Sequence, residues 1–437
     1  MSTSPTSTGG SRATLGTAKA LVKAGHRDGT SWLLIASLLA GVASYVFLVI
    51  GGRALGTERF APIATLWTVQ NIYTAIVLLS IEQYEVRTVA AAGGRAEALD
   101  RARPALWGIV IVLPIVITLF LLAAGDRAAI TSPELAIIGG VWALTMALLV
   151  MGRGIAGGRS NYRTVAIATA SDPLVRLALA VPVLVILATT QSLAWTLAIA
   201  PLPFVAWWWW RGRHEPVVPT DTPPAEATAP GRFLVATSFA NGSLQVLLAA
   251  GPLVLAALGA TPAQVSAYFV TASLARAPLL VGVSFVPRIL APLTKRAELG
   301  QFDEVRGMAW IVAGATLVLA AIAGVAAYLL GPEVISLIYG RDFAISGVAT
   351  GAAIAAVVAA LGALGLNQVL IAEVRVERLV PSWILGLVAA VVVILVLPVD
   401  PVTRMALASL AGQAIVVCAL AVSIQSAKPR TGHEVAG

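Results

Sequence analysis

Apolar residues in this chain come in long runs, each close to the 20 or so residues a helix needs to cross the hydrocarbon core of a bilayer. The pattern places about 12 such segments near 31–52, 60–82, 105–124, 134–152, 165–188, 191–210, 233–257, 264–286, 308–330, 345–372, 379–398 and 402–424. Short polar connections rich in Arg, Gly and Pro separate them. This predicts an all-α polytopic membrane protein with about 12 transmembrane helices.

The two halves repeat each other. Arg87 leads through Arg95-Ala96-Glu97 to Trp107, and Arg288 leads through Arg296-Ala297-Glu298 to Trp310, at offsets of 201, 201 and 203 residues. Ala54-Leu55-Gly56 recurs as Ala257-Leu258-Gly259, again 203 apart. Such self-similarity in an apolar chain predicts two pseudo-symmetric six-helix bundles. The domain reading is an N-terminal tail over 1–30, an N-lobe over 31–210, a linker over 211–232, a C-lobe over 233–424 and a C-terminal tail over 425–437. The linker is rich in Pro, Thr and Ala without periodicity. The Ser, Thr and Gly-rich N-terminus lacks an apolar signal core and is expected to be retained.

Composition sharpens this picture. The chain is 58% hydrophobic and only 11% charged, with a mean hydropathy of +0.89, whereas soluble domains carry about 25% charge. Of the 29 basic residues, 22 fall on the side of the tails and the linker, and 5 on the other. That asymmetry predicts a plasma (inner) membrane protein with both termini cytoplasmic. The net charge of +8 is then an insertion and lipid-headgroup signal, and no nucleic acid is expected as a partner. Trp207 to Trp210, followed by Arg211, Arg213 and His214, reads as an interfacial anchor.

Two basic residues remain inside spans, and each asks for a counter-charge or a wet surface. Arg276 is expected about halfway along the eighth span, with no carboxylate in its own helix. Either it holds an anionic phosphate through its fork of donors, or it caps a nearby freed carbonyl. Arg176 lies four residues after Asp172, so the two share a face and can pair, with Pro173 between them expected to kink the helix. A structural pair and a ligand site both fit. Arg53 at the outer end of the first span, and Asn71, Asn241 and Gln245 within spans, are further candidate binding residues. Helix–helix bonding is the simpler reading of these amides. Glu82, Glu85, Arg87 and Arg288 form a candidate latch between the lobes, with an ordinary interfacial charge cluster as the alternative.

Several classes of chemistry find no support. The sequence has no Gly-x-x-x-x-Gly-Lys-[Ser or Thr] loop and no His-Glu-x-x-His motif, and His26, His214 and His433 all lie outside the spans. The single cysteine, Cys418, excludes an internal disulfide. No enzyme activity, cofactor or metal is expected.

A family resemblance adds to this reading. Arg53-Ala54-Leu55-Gly56-Thr57-Glu58-Arg59-Phe60 resembles the turn after the first helix of polysaccharide flippases. Ile81-Glu82-Gln83-Tyr84-Glu85-Val86-Arg87 is similar to the second-helix ending of their actinobacterial-type members. So are Arg153 to Arg159 and Asp172-Pro173-Leu174-Val175-Arg176-Leu177. Ala275-Arg276-Ala277-Pro278-Leu279, leading to Val286-Pro287-Arg288, resembles their eighth helix. The resemblance implies the multidrug, oligosaccharidyl-lipid and polysaccharide (MOP) exporter superfamily and its MATE-like pair of bundles around a central cavity. It further implies alternating-access export of a polyprenyl-diphosphate-linked glycan from the cytoplasmic to the outer leaflet, for cell-surface polysaccharide biosynthesis. Expected partners are that glycan, membrane lipids, and glycosyltransferases and polymerases of the same pathway. A multidrug or cation antiporter of the same superfamily and a non-transporting membrane scaffold for envelope enzymes are the other readings.

Overall fold

The computed structural model describes residues 10–210, 230–277, 302–372 and 376–426, and among these the chain is helical with no strand. α1 (Gly10–Tyr73) passes through a π-helical turn, Thr74–Leu78, into α2 (Leu79–Ala91). α3 (Arg103–Ala124), α4 (Pro133–Gly158) and α5 (Tyr162–Ile186) follow, then α6 (Thr190–Ile199) and α7 (Leu202–Trp210), which together make one span. The second half runs through α8 (Pro230–Ala249), α9 (Gly251–Ala257), α10 (Pro262–Ala275), α11 (Phe302–Tyr339), α12 (Gly347–Ala372), α13 (Leu379–Val396) and α14 (Pro401–Gln425).

Among the described residues nine helices are long and apolar enough to span a membrane, or ten if the bent pair Phe239–Ala249 and Gly251–Ala257 counts as one span. One of the nine, Trp32–Ala91, holds both of the first two expected segments. The reversal within it lies at Gly56, whose φ of 72° and ψ of 174° interrupt the helix. Phe60 is thereby folded back onto Gly51, where a β-carbon would come within 3.3 Å of its ring. A straight helix would hold residues nine apart at about 13 Å. Its counterpart in the sequence repeat, Gly259, has a φ of +78°. The repeated Ala-Leu-Gly therefore does the same work in both halves, since glycine alone enters this region without steric cost.

The outward faces of α3 and α11 carry exposed Ile111, Val112, Ile115 and Leu119, and Ile311, Val318, Leu319 and Ile322, respectively. Aliphatic surface of that extent is matched to lipid. The multi-pass membrane reading thus holds at the level of the side chains. Close helix packing uses small residues: a β-carbon on Gly351 would meet the Gly324 carbonyl at 2.6 Å, joining α11 to α12.

The eighth span differs from its sequence reading. α10 ends at Ala275, and Arg276 occupies its C-cap with φ −78° and ψ −7° rather than the middle of a continuous helix. Pro278, two residues on, has no N–H with which to continue the helical ladder. The remainder of that expected span, the Arg288 position, most of the linker and the Arg211, Arg213 and His214 run lie outside the described residues. α5, expected to kink at Pro173, is one unbroken helix through Pro173 and Pro182.

Candidate functional site

Among the described residues the two halves meet firmly at the end of the molecule opposite the termini. At the end opposite the termini, Phe60 of α1 meets Phe269 of α10 and Phe343 of the Arg341–Phe343 turn, with ring centroids 6.2 and 6.3 Å apart. Tyr339 and Phe343 close over Gly52, and all four rings are buried. Arg53 donates to the carbonyls of Leu337 and Ile338, the latter at 2.6 Å. It thus caps the C-terminal end of α11, where partial negative charge collects. This contact joins the halves but removes Arg53 from the interior, so its place is the closed seam and not a binding cavity.

Beneath the seam lies a cavity of about 410 Å³ between the halves. α1 lines it with Ser37, Gly41, Ser44 and Tyr45, and Trp67 and Asn71 complete that wall. From across the seam come Gln245 of α8 and Ser273 and Arg276 of α10. The Tyr45 hydroxyl donates to the Ser273 carbonyl at 2.9 Å, tying the two walls together. Arg276 Nε–H donates to the Ala272 carbonyl at 3.1 Å and Nη2–H to Ser273 Oγ at 3.2 Å. The first bond answers the helix end: the Arg276 backbone N–H has shifted to the Ser273 carbonyl, which frees that of Ala272. A guanidinium carries five N–H donors, so this cap leaves most of the fork for a ligand. Among the described residues that line it, Arg276 is the only ionisable side chain besides Tyr45, and none is a carboxylate. Asn71 and Gln245 make no side-chain hydrogen bond among the described residues.

A second cavity of about 490 Å³ opens toward the end that carries the termini. Glu82 and Arg87 of α2, Asn241 of α8 and Asn367 and Gln368 of α12 line it. Asn241 and Gln245 are one turn apart on α8, so the two cavities are stacked along that helix. Between them Gly242 sits against Ile76 of the π-helical turn, with a β-carbon position 3.0 Å from the Ile76 side chain. We term this close approach of α8 to the π-helical turn the neck.

The remaining candidates are placed elsewhere. Arg176 is buried, paired with Asp172, and boxed by the rings of Trp67, Trp142 and Phe47 at 4.8, 5.5 and 5.7 Å from its guanidinium carbon. Both residues lie behind the cavity wall that Trp67 forms, and neither lines the cavity. Glu82 holds Arg153 of α4 through two bonds of 2.8 and 2.6 Å, so its carboxylate is used within its own half. Glu85 is fully buried against Gly154 of α4. Among the described residues neither glutamate bonds across the seam, and Arg87 lines the cavity that borders the opposite half; Arg288, the fourth member of the expected latch, lies outside the described residues. Of the tryptophan run, Trp209 and Trp210 are exposed while Trp208 is buried on Gly152.

Sequence reasoning missed the wall supplied by α1. Its signal was present: Ser37, Gly41, Ser44 and Leu48 recur at three- and four-residue steps, one helical face of small and polar residues.

No family model and no curated protein matches the sequence. Solved structures do match in fold. An inward-facing multidrug resistance MATE family transporter of the MOP superfamily aligns over 89% of this chain and 94% of its own, with a TM-score of 0.64 and 12% identity. An outward-facing form aligns over 91% and 94%, at 0.57 and 13%. A MOP superfamily transporter from Pyrococcus furiosus, described as having a binding pocket of reverse polarity that suggests a different function, aligns over 91% and 94%, at 0.57 and 15%. In architecture, then, this chain is a multi-pass helical membrane protein with the two-bundle fold of the MATE transporters of the MOP superfamily.

Proposed function

We propose that this protein is a flippase that moves a polyprenyl-diphosphate-linked oligosaccharide from the cytoplasmic to the outer leaflet by alternating access. The observation that carries the proposal is the polarity of the central cavity. Its charged lining group is a guanidinium, and no acid accompanies it among the described residues. A planar fork of charge-assisted donors suits phosphate oxygens. Gln245, Asn71, Ser37 and Ser44 offer uncharged partners to a hydroxyl-rich headgroup. The prenyl chain stays in lipid between the halves.

The packing of the halves supports a cycle. Among the described residues the halves meet at the Phe60, Phe269 and Phe343 end, and in this reading the cavity lined by Asn241 and Arg87, toward the other end, receives the substrate from the cytoplasmic leaflet. Turnover then requires Arg53 to release the end of α11 and the neck at Ile76 to shift. Exporting an anion from a negative-inside cell is favoured by about 2.3 kcal/mol per charge per 100 mV.

Multidrug antiport is the second reading, favoured by the fold neighbours themselves. A cation exchanger needs a titratable acid in contact with its substrate path. Asp172, the candidate in the sequence, is occupied by Arg176 behind the wall, and Glu82, which lines the second cavity, is occupied by Arg153. Mass spectrometry of lipids from cells depleted of the protein tests the choice. Accumulation of a prenyl-diphosphate-linked glycan is the expected result; an unchanged lipid pool together with raised sensitivity to cationic drugs would transfer the assignment to antiport.

A further inference from the structure

A third cavity, of about 480 Å³, lies within the N-terminal half and away from the seam. It is enclosed by the end of α2, the Ala96–Leu99 turn, α3, α4 and α7. Glu85 forms part of its wall. That side chain is fully buried, and neither carboxylate oxygen has a hydrogen-bond partner among the described residues. Gly154 makes the room, since a β-carbon there would lie 2.3 Å from Glu85 Oε2. The neighbouring acid, Glu82, is already neutralised by Arg153. A buried carboxylate with no partner is costly and calls for a cation or a proton donor.

The rest of the lining says which. Trp107, Trp208 and Trp209 supply indole surfaces, with Trp107 and Trp209 centred 5.9 Å apart. Indole faces attract ammonium groups. Arg103 and Arg159 line the same cavity, Arg159 bonded to the Gly94 carbonyl and Arg103 exposed at the surface beside Asp100. Glu97, also exposed, completes a lining balanced in charge. The groups are ordered, with the buried Glu85 carboxyl and Arg159 within and Arg103 at the surface. The adjacent tryptophan run and the basic loops place this cavity at headgroup depth.

We propose that this cavity binds the headgroup of an aminophospholipid, with the primary ammonium on Glu85 and the phosphate on Arg103 and Arg159. A primary ammonium has three N–H donors for the unpartnered oxygens, whereas a trimethylammonium has none and a glycerol headgroup has no cation. The acyl chains then leave along the exposed aliphatic face of α3. This site is separate from the central cavity, so its success or failure leaves the flippase reading where it stands.

Native mass spectrometry of the delipidated full-length protein with phosphatidylethanolamine, phosphatidylcholine and phosphatidylglycerol tests the assignment. Phosphatidylethanolamine binds in preference to the other two. Glu85→Gln lowers its binding about tenfold or more, as loss of a charge-assisted bond implies, with phosphatidylglycerol unaffected. Arg103→Gln, at an exposed position, weakens all three. Equal binding of phosphatidylethanolamine and phosphatidylcholine by the wild type overturns the proposal even if Glu85→Gln does not fold, and so does unchanged phosphatidylethanolamine binding by that variant.

Discussion

Replacing Phe343 by alanine separates the two halves at their closed end. The ring is buried in a turn and shares its surroundings between its own half, through Tyr339 at 5.8 Å, and the opposite one, through Phe60 at 6.3 Å and Gly52. A buried Phe→Ala change costs about 3–5 kcal/mol. Roughly half of it, about 2 kcal/mol, belongs to the seam and disappears when the seam opens, so the truncation lowers the closed-to-open ratio by about 30-fold. The native cysteine, Cys418, is replaced by serine, and spin labels are placed at the exposed Glu58 and Asp342 on either side. Electron–electron distance measurements in nanodiscs then give a single short distance for the wild-type seam and a second, longer population for Phe343→Ala. A thermal stability lowered by the full 3–5 kcal/mol with an unchanged distance distribution would refute the reasoning, because the ring would then serve only its own half.

Three further outcomes follow from other contacts. Gly242→Leu fills the neck against Ile76, so transport falls sharply while folding, read by size-exclusion chromatography and thermal melting, is kept; normal transport would show that substrate does not pass there. Arg176→Met leaves Asp172 buried and unpaired behind the cavity and costs about 3–5 kcal/mol in thermal unfolding, most of it recovered in Asp172→Leu/Arg176→Met; no recovery in the double variant would contradict the pairing argument. At the start of α14, slight burial alone would raise the Asp400 carboxyl, but bonds from the backbone and side chain of Thr403 and the backbone N–H of Val402 outweigh it and hold the group below its usual range. The cap therefore stabilises the fold above pH about 4, and the contribution is lost as pH falls through the lowered value. Asp400→Ala removes about 1 kcal/mol at neutral pH, and an identical melting temperature for the two proteins would refute the cap.

How much was legible in the sequence depended on range. The spans were readable because lipid imposes a length on each apolar run, and Gly56 and Gly259 were visible as a repeat before their left-handed geometry was known. The end of α10 at Ala275 was not read, since the apolar run continues past Arg276 through Pro278. What else escaped was whatever needed two distant segments at once. The partner of Glu82 is 71 residues away in Arg153, and the carbonyls that hold Arg53 lie more than 280 residues further on. The box around Arg176 needs Phe47, Trp67 and Trp142 to converge, which no local pattern announces. The π-helical turn at Thr74–Leu78 has no glycine or proline to mark it.

The central claim is that Arg276 holds a diphosphate in the cavity between the halves. Its most direct test is flipping of a fluorescent polyprenyl-diphosphate-linked saccharide by the purified protein in liposomes, comparing wild type with Arg276→Ala and Arg276→Lys. The account predicts turnover by the wild type, its loss in Arg276→Ala, and partial retention in Arg276→Lys, which keeps the charge but not the fork. Flipping by Arg276→Ala at the wild-type rate would contradict it.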